Sequence, residues 1–247
     1  MNPPSRSHLL LCIAALALTA CSPSPPDDAS PILVFRGRGT SQDSARAIGS
    51  ILEDRHLKYA TLDSRQLNAM SATQLMIHRL LIVPGGNYIT MGDNLKPDTC
   101  ANVHHAVQGG MNYLGICAGG LLAGNPPSNS FDLTSGVHFG FYSVVNQGIH
   151  KTTATIANAD GTALQHYWED GPQFTGWGEV VGRYPDRTPA IVEGTSGKGW
   201  VVLCGVHPEA PDKWRWGMNF TTPTSTAHAY AGTLIDAAFR GTPLPHY

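Results

Sequence analysis

The sequence predicts an α/β fold built on a mostly parallel sheet with helices on both faces, and three observations lead there. Short apolar runs alternate with segments whose apolar residues recur at helical spacing. The Gly-rich turn Gly115-Ile116-Cys117-Ala118-Gly119 stands between an apolar run and a small apolar stretch that can begin a helix. A further apolar run, 199–206, leads directly into His207-Pro208-Glu209.

Taken in order, 31–35 is a first strand. Residues 44–57 carry Ala47, Ile48, Ile51 and Leu52 on one helical face and form the first helix. Residues 58–62 are a second strand, and 67–78 a short helix. The strand 80–83 ends in Pro84-Gly85-Gly86, and the helix 98–108 is closed by Gly109-Gly110. Strand, turn and helix follow over 111–123. After Asn125-Pro126-Pro127 the character changes, with strands expected at 137–147, 152–157 and 179–184 between Gly and Pro turns. Residues 190–193 and 199–204 read as a hairpin around 194–197, and 226–239 as the last helix.

Three motifs carry chemistry. G-x-C-x-G between a strand and a helix is the thiol form of the nucleophile elbow. Its flanking positions must be glycine, because a Cβ there would strike the neighbouring strand and helix. Cys117 is then raised at a helix N-terminus, where N–H groups and the helix dipole favour a thiolate. Read alone, the motif is equally a buried Cys in a Gly-rich turn. His207 and Glu209 supply a base and a group to orient it: residues i and i+2 of an extended segment share a side, and Pro208 pushes His207 toward extended backbone. The Gly pair after 80–83 lets backbone N–H groups face a neighbouring site, so Gly86 and Ala118 are candidate oxyanion-hole donors.

The order P-G-G, then G-x-C-x-G, then H-P-E resembles the class I glutamine amidotransferase-like superfamily. Within it, "LLIVPGGNY", "NYLGICAGGLLAG", "HYWEDGPQF" and "GVHPE" are most similar to the biotin–protein ligase N-terminal-domain family. The resemblance implies a flavodoxin-like three-layer sandwich with a β-rich addition to the sheet, and Cys117, His207 and Glu209 as a candidate catalytic triad. It also marks Gly85, Tyr167, Trp168 and Glu169 as candidates for the substrate pocket. The chain departs from the glutaminase pattern where Gly119-Gly120-Leu121-Leu122 replaces a polar residue that holds glutamine. It departs again at Tyr167–Pro172, where Glu169 and Asp170 replace small residues; the plainer view of that segment is a solvated turn. Trp214-Arg215-Trp216 either lines the cleft or packs as an ordinary loop.

The N-terminus sets the expected compartment. Residues 1–20 read as a lipoprotein signal peptide, with Arg6 and His8 ahead of an apolar run too short for a comfortable membrane span. Leu18-Thr19-Ala20-Cys21 resembles a bacterial lipobox, which makes Cys21 the site of lipidation, by acyl groups such as palmitate; the alternative is ordinary cleavage without lipid. Several acyl chains anchor stably where one does not. Residues 21–30 form a Pro/Ser-rich tether, and 31–247 a single amidotransferase-like domain hanging from the bacterial cell envelope and facing the periplasm. Ser22 in place of Asp favours the outer membrane by analogy.

Composition narrows the classes further. A net charge of −2 and 42% hydrophobic residues describe an ordinary folded domain. No Lys/Arg cluster in the sequence calls for nucleic acid. No cofactor or metal is expected: His104 and His105 are adjacent and diverge on a helix, while His138, His150 and His166 are scattered. Of the cysteines, Cys12 is removed and Cys21 lipidated, leaving Cys100, Cys117 and Cys204. Cys100 and Cys204 are either paired or, as their apolar settings favour, buried as small hydrophobes. The leading function is a cysteine-dependent hydrolase or transferase acting on a small-molecule or peptide amide, or another acyl group. The competing classes are a non-catalytic binding or regulatory module and a thiol redox or stress protein. The chain carries no ammonia-accepting synthetase domain, and the sequence names no protein partner.

Overall fold

The computed structural model describes residues 30–247, together with Met1. The expected signal peptide, Cys21 and nearly all of the tether lie outside the described residues. In chain order the elements are β1 Ile32–Phe35, α1 Gln42–Asp54, β2 Tyr59–Leu62, α2 Ser64–Leu67, α3 Ala72–Leu75, β3 Leu80–Val83, α4 Tyr88–Asp93, α5 Pro97–Gly109, β4 Asn112–Ile116 and α6 Ala118–Ala123. A 3₁₀ turn at Ser143–Gln147 precedes β5 Lys151–Asn158, β6 Ala163–Glu169, β7 Glu179–Arg183, β8 Pro189–Ser196, β9 Gly199–Cys204, α7 Asp212–Arg215 and α8 Thr224–Arg240.

One nine-stranded sheet runs β2-β1-β3-β4-β9-β8-β7-β5-β6. The first five strands in that order are parallel, and β8, β7, β5 and β6 extend the sheet in antiparallel fashion. Alternate residues of the buried strands feed opposite faces. Leu33, Leu81, Tyr113 and Leu203 join Val103 and Val107 of α5 on one side. Ile32, Ile82, Leu114 and Val202 meet Ile48 and Leu52 of α1 and Leu234 and Ile235 of α8 on the other. This is the three-layer α/β sandwich with a β-rich addition that the sequence implies.

Four elements depart from expectation. In place of the one helix expected at 67–78 stand two single turns, Ser64–Leu67 and Ala72–Leu75. Asp63 and Ser71 each head a capping box with Gln66 and Gln74, and Ser71 takes the extended backbone of an N-cap, which interrupts the helix. Residues 137–147 form no strand. Their one ladder contact pairs Phe141 with Pro172, and a 3₁₀ turn over Ser143–Gln147 takes the chain out of extended backbone directly after it. Conversely, Tyr167–Glu169, weighed as part of a turn, belongs to β6 and pairs along β5. The short α4 was not legible at all.

Cys100 and Cys204 are free and buried, as small hydrophobes. Burial pushes the Cys100 thiol to about 11 and Cys204 higher still. Among the described residues no helix is long and apolar enough to cross a membrane.

Trp168 is among the largest side chains with no exposed surface, packed edge-on against Tyr142. Trp168→Ala should lower the unfolding free energy by about 3–5 kcal/mol. Trp216→Ala, removing an exposed ring, should leave the denaturation midpoint nearly unchanged. Paired urea titrations check both.

Candidate active site

The site is assembled by three adjacent parallel strands that end at one edge. β4 lies between β3 and β9, with Val83 opposite Gly115 and Ile116 opposite Cys204. The chain leaving β3 is Pro84-Gly85-Gly86, that leaving β4 is Cys117, and that leaving β9 reaches His207 three residues later. Sequence distance is thus removed by sheet register.

Cys117 has φ 50° and ψ −106°, a left-handed setting rare for a residue with a side chain. Its N–H donates to the Cys204 carbonyl at 2.7 Å, and its carbonyl accepts from Leu121 at 3.1 Å. The flanking glycines are required by contact. A Cβ on Gly115 would lie 2.6 Å from the Gly119 carbonyl oxygen, and one on Gly119 would lie 2.0 Å from that of Val83. The thiol, largely buried, donates to the Glu169 carbonyl at 3.6 Å.

His207 is held from four sides. Its N–H donates to the Tyr167 carbonyl at 2.8 Å, and Nδ1 lies 2.9 Å from Glu209 Oε1. Tyr167 and Trp214 pack against the ring at 5.9 and 5.4 Å between centroids. Gly85 passes so close that a Cβ would fall 2.3 Å from His207 Cε1. The His207–Glu209 pair does not arise from an extended i/i+2 arrangement. It spans a turn with Pro208 second, closed by the Ala210 N–H on the His207 carbonyl at 3.2 Å, a position that suits the fixed φ of proline.

Cys117 and His207 line the same cleft, with the sulfur close enough to act on the imidazole's charge. With Nδ1 engaged by Glu209, the other ring nitrogen is the one free for the sulfur. Burial alone would lower the pKa of His207, but the Glu209 carboxylate and then the Cys117 sulfur outweigh it and raise it well above 6.5. Burial alone would raise Glu209, but His207 and then Ser44 hold it below 4.5. His166, buried close enough to feel the Glu209 charge, is held down to about 4 chiefly by burial and is neutral at pH 7.

Ser44 was missed from the sequence. As the expected first residue of α1 it reads as a cap, but Ser41 caps the helix, accepting from the Ser44 N–H at 3.3 Å. The Ser44 hydroxyl is freed to donate to Glu209 Oε1 at 2.6 Å while accepting from the Gly85 N–H at 3.3 Å. The only signal was a second serine behind a better-placed cap.

The cleft over Cys117 is about 480 Å³. Gly86 and Ala118 both line it. Gly86 pairs with Thr40 across bonds made by their neighbours, so its own N–H points away from that strand. The Ala118 N–H, first in α6, has no intrahelical acceptor. Leu121 forms part of the wall beside Tyr88, Phe141 and Trp214, and Glu169 and Asp170 stand on it as well. No Lys or Arg is among the lining residues. Of the other pocket candidates, Tyr167 backs His207 and donates its hydroxyl to Glu169 Oε2 at 2.6 Å. Gly85 lies beneath the imidazole, and Trp168 is turned into the core with its indole N–H on the Gly171 carbonyl; neither lines the cleft.

Comparison with known proteins agrees with this architecture. Residues 30–133 match the family described as biotin–protein ligase, N terminal. This segment is similar to that family. The chain is 25% identical over 215 residues to the biotin–protein ligase of Schizosaccharomyces pombe, covering 72% of this chain but 33% of the ligase. It therefore spans about a third of that relative's length. Among solved structures, a glutamine amidotransferase superposes with a TM-score of 0.60 at 18% identity, covering 84% of this chain and all of that one. A cytoplasmic protein of Salmonella typhimurium, STM3548, gives 0.53 at 10% identity, over 83% and 98% of the two chains. These likenesses establish a glutamine amidotransferase-like fold.

The opposed pKa shifts make a stability prediction. The lowered Glu209 value stabilises the fold above about pH 4.5, and this is lost as pH falls toward the folded-state pKa. The raised His207 value stabilises it below about pH 6.5, and this is lost as pH rises toward the folded-state pKa. The difference in unfolding free energy between wild type and Glu209→Gln should be largest between pH 4.5 and 6.5. Denaturant titrations across pH should show it shrinking on both sides.

Proposed function

We propose that the cleft is the active site of a thiol-dependent amidohydrolase or acyltransferase, carried on a lipid-anchored envelope protein. The observation that carries this is the placing of Cys117, on a strained elbow, in one cleft with His207, whose ring is bonded to Glu209. Cys117 sulfur attacks the amide carbonyl, and its proton passes to His207. The tetrahedral oxyanion is held by the Gly86 and Ala118 N–H groups. Collapse breaks the C–N bond as His207 returns the proton to the leaving amine. Water, deprotonated by His207, then cleaves the thioester to release the acid and regenerate the thiol; an acceptor amine in its place would complete a transfer. Glu209 orients the imidazole and stabilises its charged form.

The lining also bears on the substrate. Free glutamine carries a carboxylate that needs a cation or a set of donors. The cleft offers Leu121 where the glutaminase pattern is polar, carboxylates at Glu169 and Asp170, and no Lys or Arg. An acyl amide without a negative charge near the scissile bond fits better. Leu121 equally favours a second reading, a pocket that binds without turnover, so the tests separate the two.

Iodoacetamide should alkylate Cys117 at pH 7 at least about tenfold faster in wild type than in His207→Ala. Neutral acyl amides should be turned over in preference to glutamine. Cys117→Ala should abolish turnover, and Glu209→Gln should lower it by about 10²-fold or more. Equal alkylation rates together with no Cys117-dependent turnover would leave the binding module. For the anchor, Cys21→Ser should move the protein from the membrane to the soluble fraction.

A further inference from the structure

A second cavity of about 460 Å³ opens at the carboxyl ends of β1 and β2, on the far side of the 36–42 connection from Cys117. Arg36, Arg38 and Arg65 line it, with Asp63 as the sole carboxylate. That is a local excess of positive charge in a chain whose net charge is −2. None of the ion pairs among the described residues engages these three arginines. Arg36 bonds the neutral Gln42 at 2.9 Å, so its charge is not cancelled there.

The guanidiniums rise from fixed backbone. The Arg36 N–H donates to the Leu62 carbonyl at 2.8 Å, and the Arg38 N–H to Ser64 Oγ at 3.1 Å. Gly37 between them is pressed so close that a Cβ would lie 2.2 Å from the Phe35 ring and 2.3 Å from Ser64 Oγ. Arg65 starts from α2, whose capping box fixes its first turn.

We propose that this cavity is a binding site for a phosphorylated ligand carrying at least two negative charges. Guanidinium forks match phosphate oxygens in pairs, which a point charge does not. The size suits a small molecule or a lipid headgroup. A nucleic-acid track is disfavoured by the chain's net charge of −2.

The test uses the full-length chain with two probes. Pyrophosphate titrated by calorimetry should bind with Kd on the order of 10–500 µM. The Arg38→Gln/Arg65→Gln double variant should weaken this at least about tenfold. Lys198→Gln, which removes a charge from the distant β8–β9 turn, should leave it unchanged. Sedimentation with phosphatidylglycerol against phosphatidylcholine vesicles forms the second arm. Arginine-dependent binding of pyrophosphate assigns a free phosphorylated compound; arginine-dependent preference for phosphatidylglycerol vesicles alone assigns a headgroup. Should the double variant fail to fold, each single variant is expected to weaken binding about threefold or more. Binding of neither probe, or binding equal in wild type and the arginine variants, overturns the proposal.

Discussion

The parallel register between β4 and β9 is the constraint on which the site rests. Because Ile116 stands opposite Cys204, the two chains leave the sheet at one level, and the Cys117 N–H bonds the Cys204 carbonyl as it turns away. A slip of one residue would turn alternate side chains to the other face, destroying both core layers as well as the meeting of sulfur and imidazole. Packing therefore protects a geometry that the thiol could not enforce by itself. The glycines work in the same direction: Gly115, Gly119 and Gly85 leave room where strand, helix and ring pass too close for a Cβ.

Electrostatics then decides how that geometry behaves. Withdrawing an imidazole and a carboxylate from water is costly, and a lone ion at either position would lose its charge. Here each compensates the other, and Ser44 adds a hydrogen bond to the same carboxylate oxygen. Ser44 also ties the Gly85 loop to Glu209, so that loop and the carboxylate share one hydroxyl. Neutral His166 leaves the pairing undivided at pH 7.

Legibility in the sequence followed range. The elbow, the glycines beside it and the buried parallel strands were readable because their causes are local: tight φ/ψ demands and runs of apolar residues. The His207–Glu209 pair was readable as a pair but for the wrong reason, since a proline turn and not an extended strand brings them together. Ser44 was invisible because its role depends on a partner 165 positions away. The segment 137–147 misled because its apolar residues suggested pairing, whereas the 3₁₀ turn over Ser143–Gln147 leaves a single bridge. Trp168 shows the reverse: a residue placed by likeness in the pocket is claimed by the core, because a fully buried indole gains more from packing than a rim position offers.

The connection between β1 and α1 has two sides, and this links the two cavities physically. Ser41 lines the cleft over Cys117 and caps α1, while Arg36, Arg38 and Gln42 line the arginine cavity. Between them Thr40 pairs with Gly86, one of the residues at the thiol. Displacement of this connection from one side would have to pass through the Thr40–Gly86 bridge or the Ser41–Ser44 cap, since close contacts at Gly37 and Gly39 leave it little room to yield elsewhere. Both of those routes end beside the Cys117–His207–Glu209 set: the bridge at Gly86, next to the Gly85 that packs on His207, and the cap at Ser44, which bonds the carboxylate. Any coupling between the cavities is thus confined to a few identifiable hydrogen bonds, which makes it measurable as a difference between paired variants.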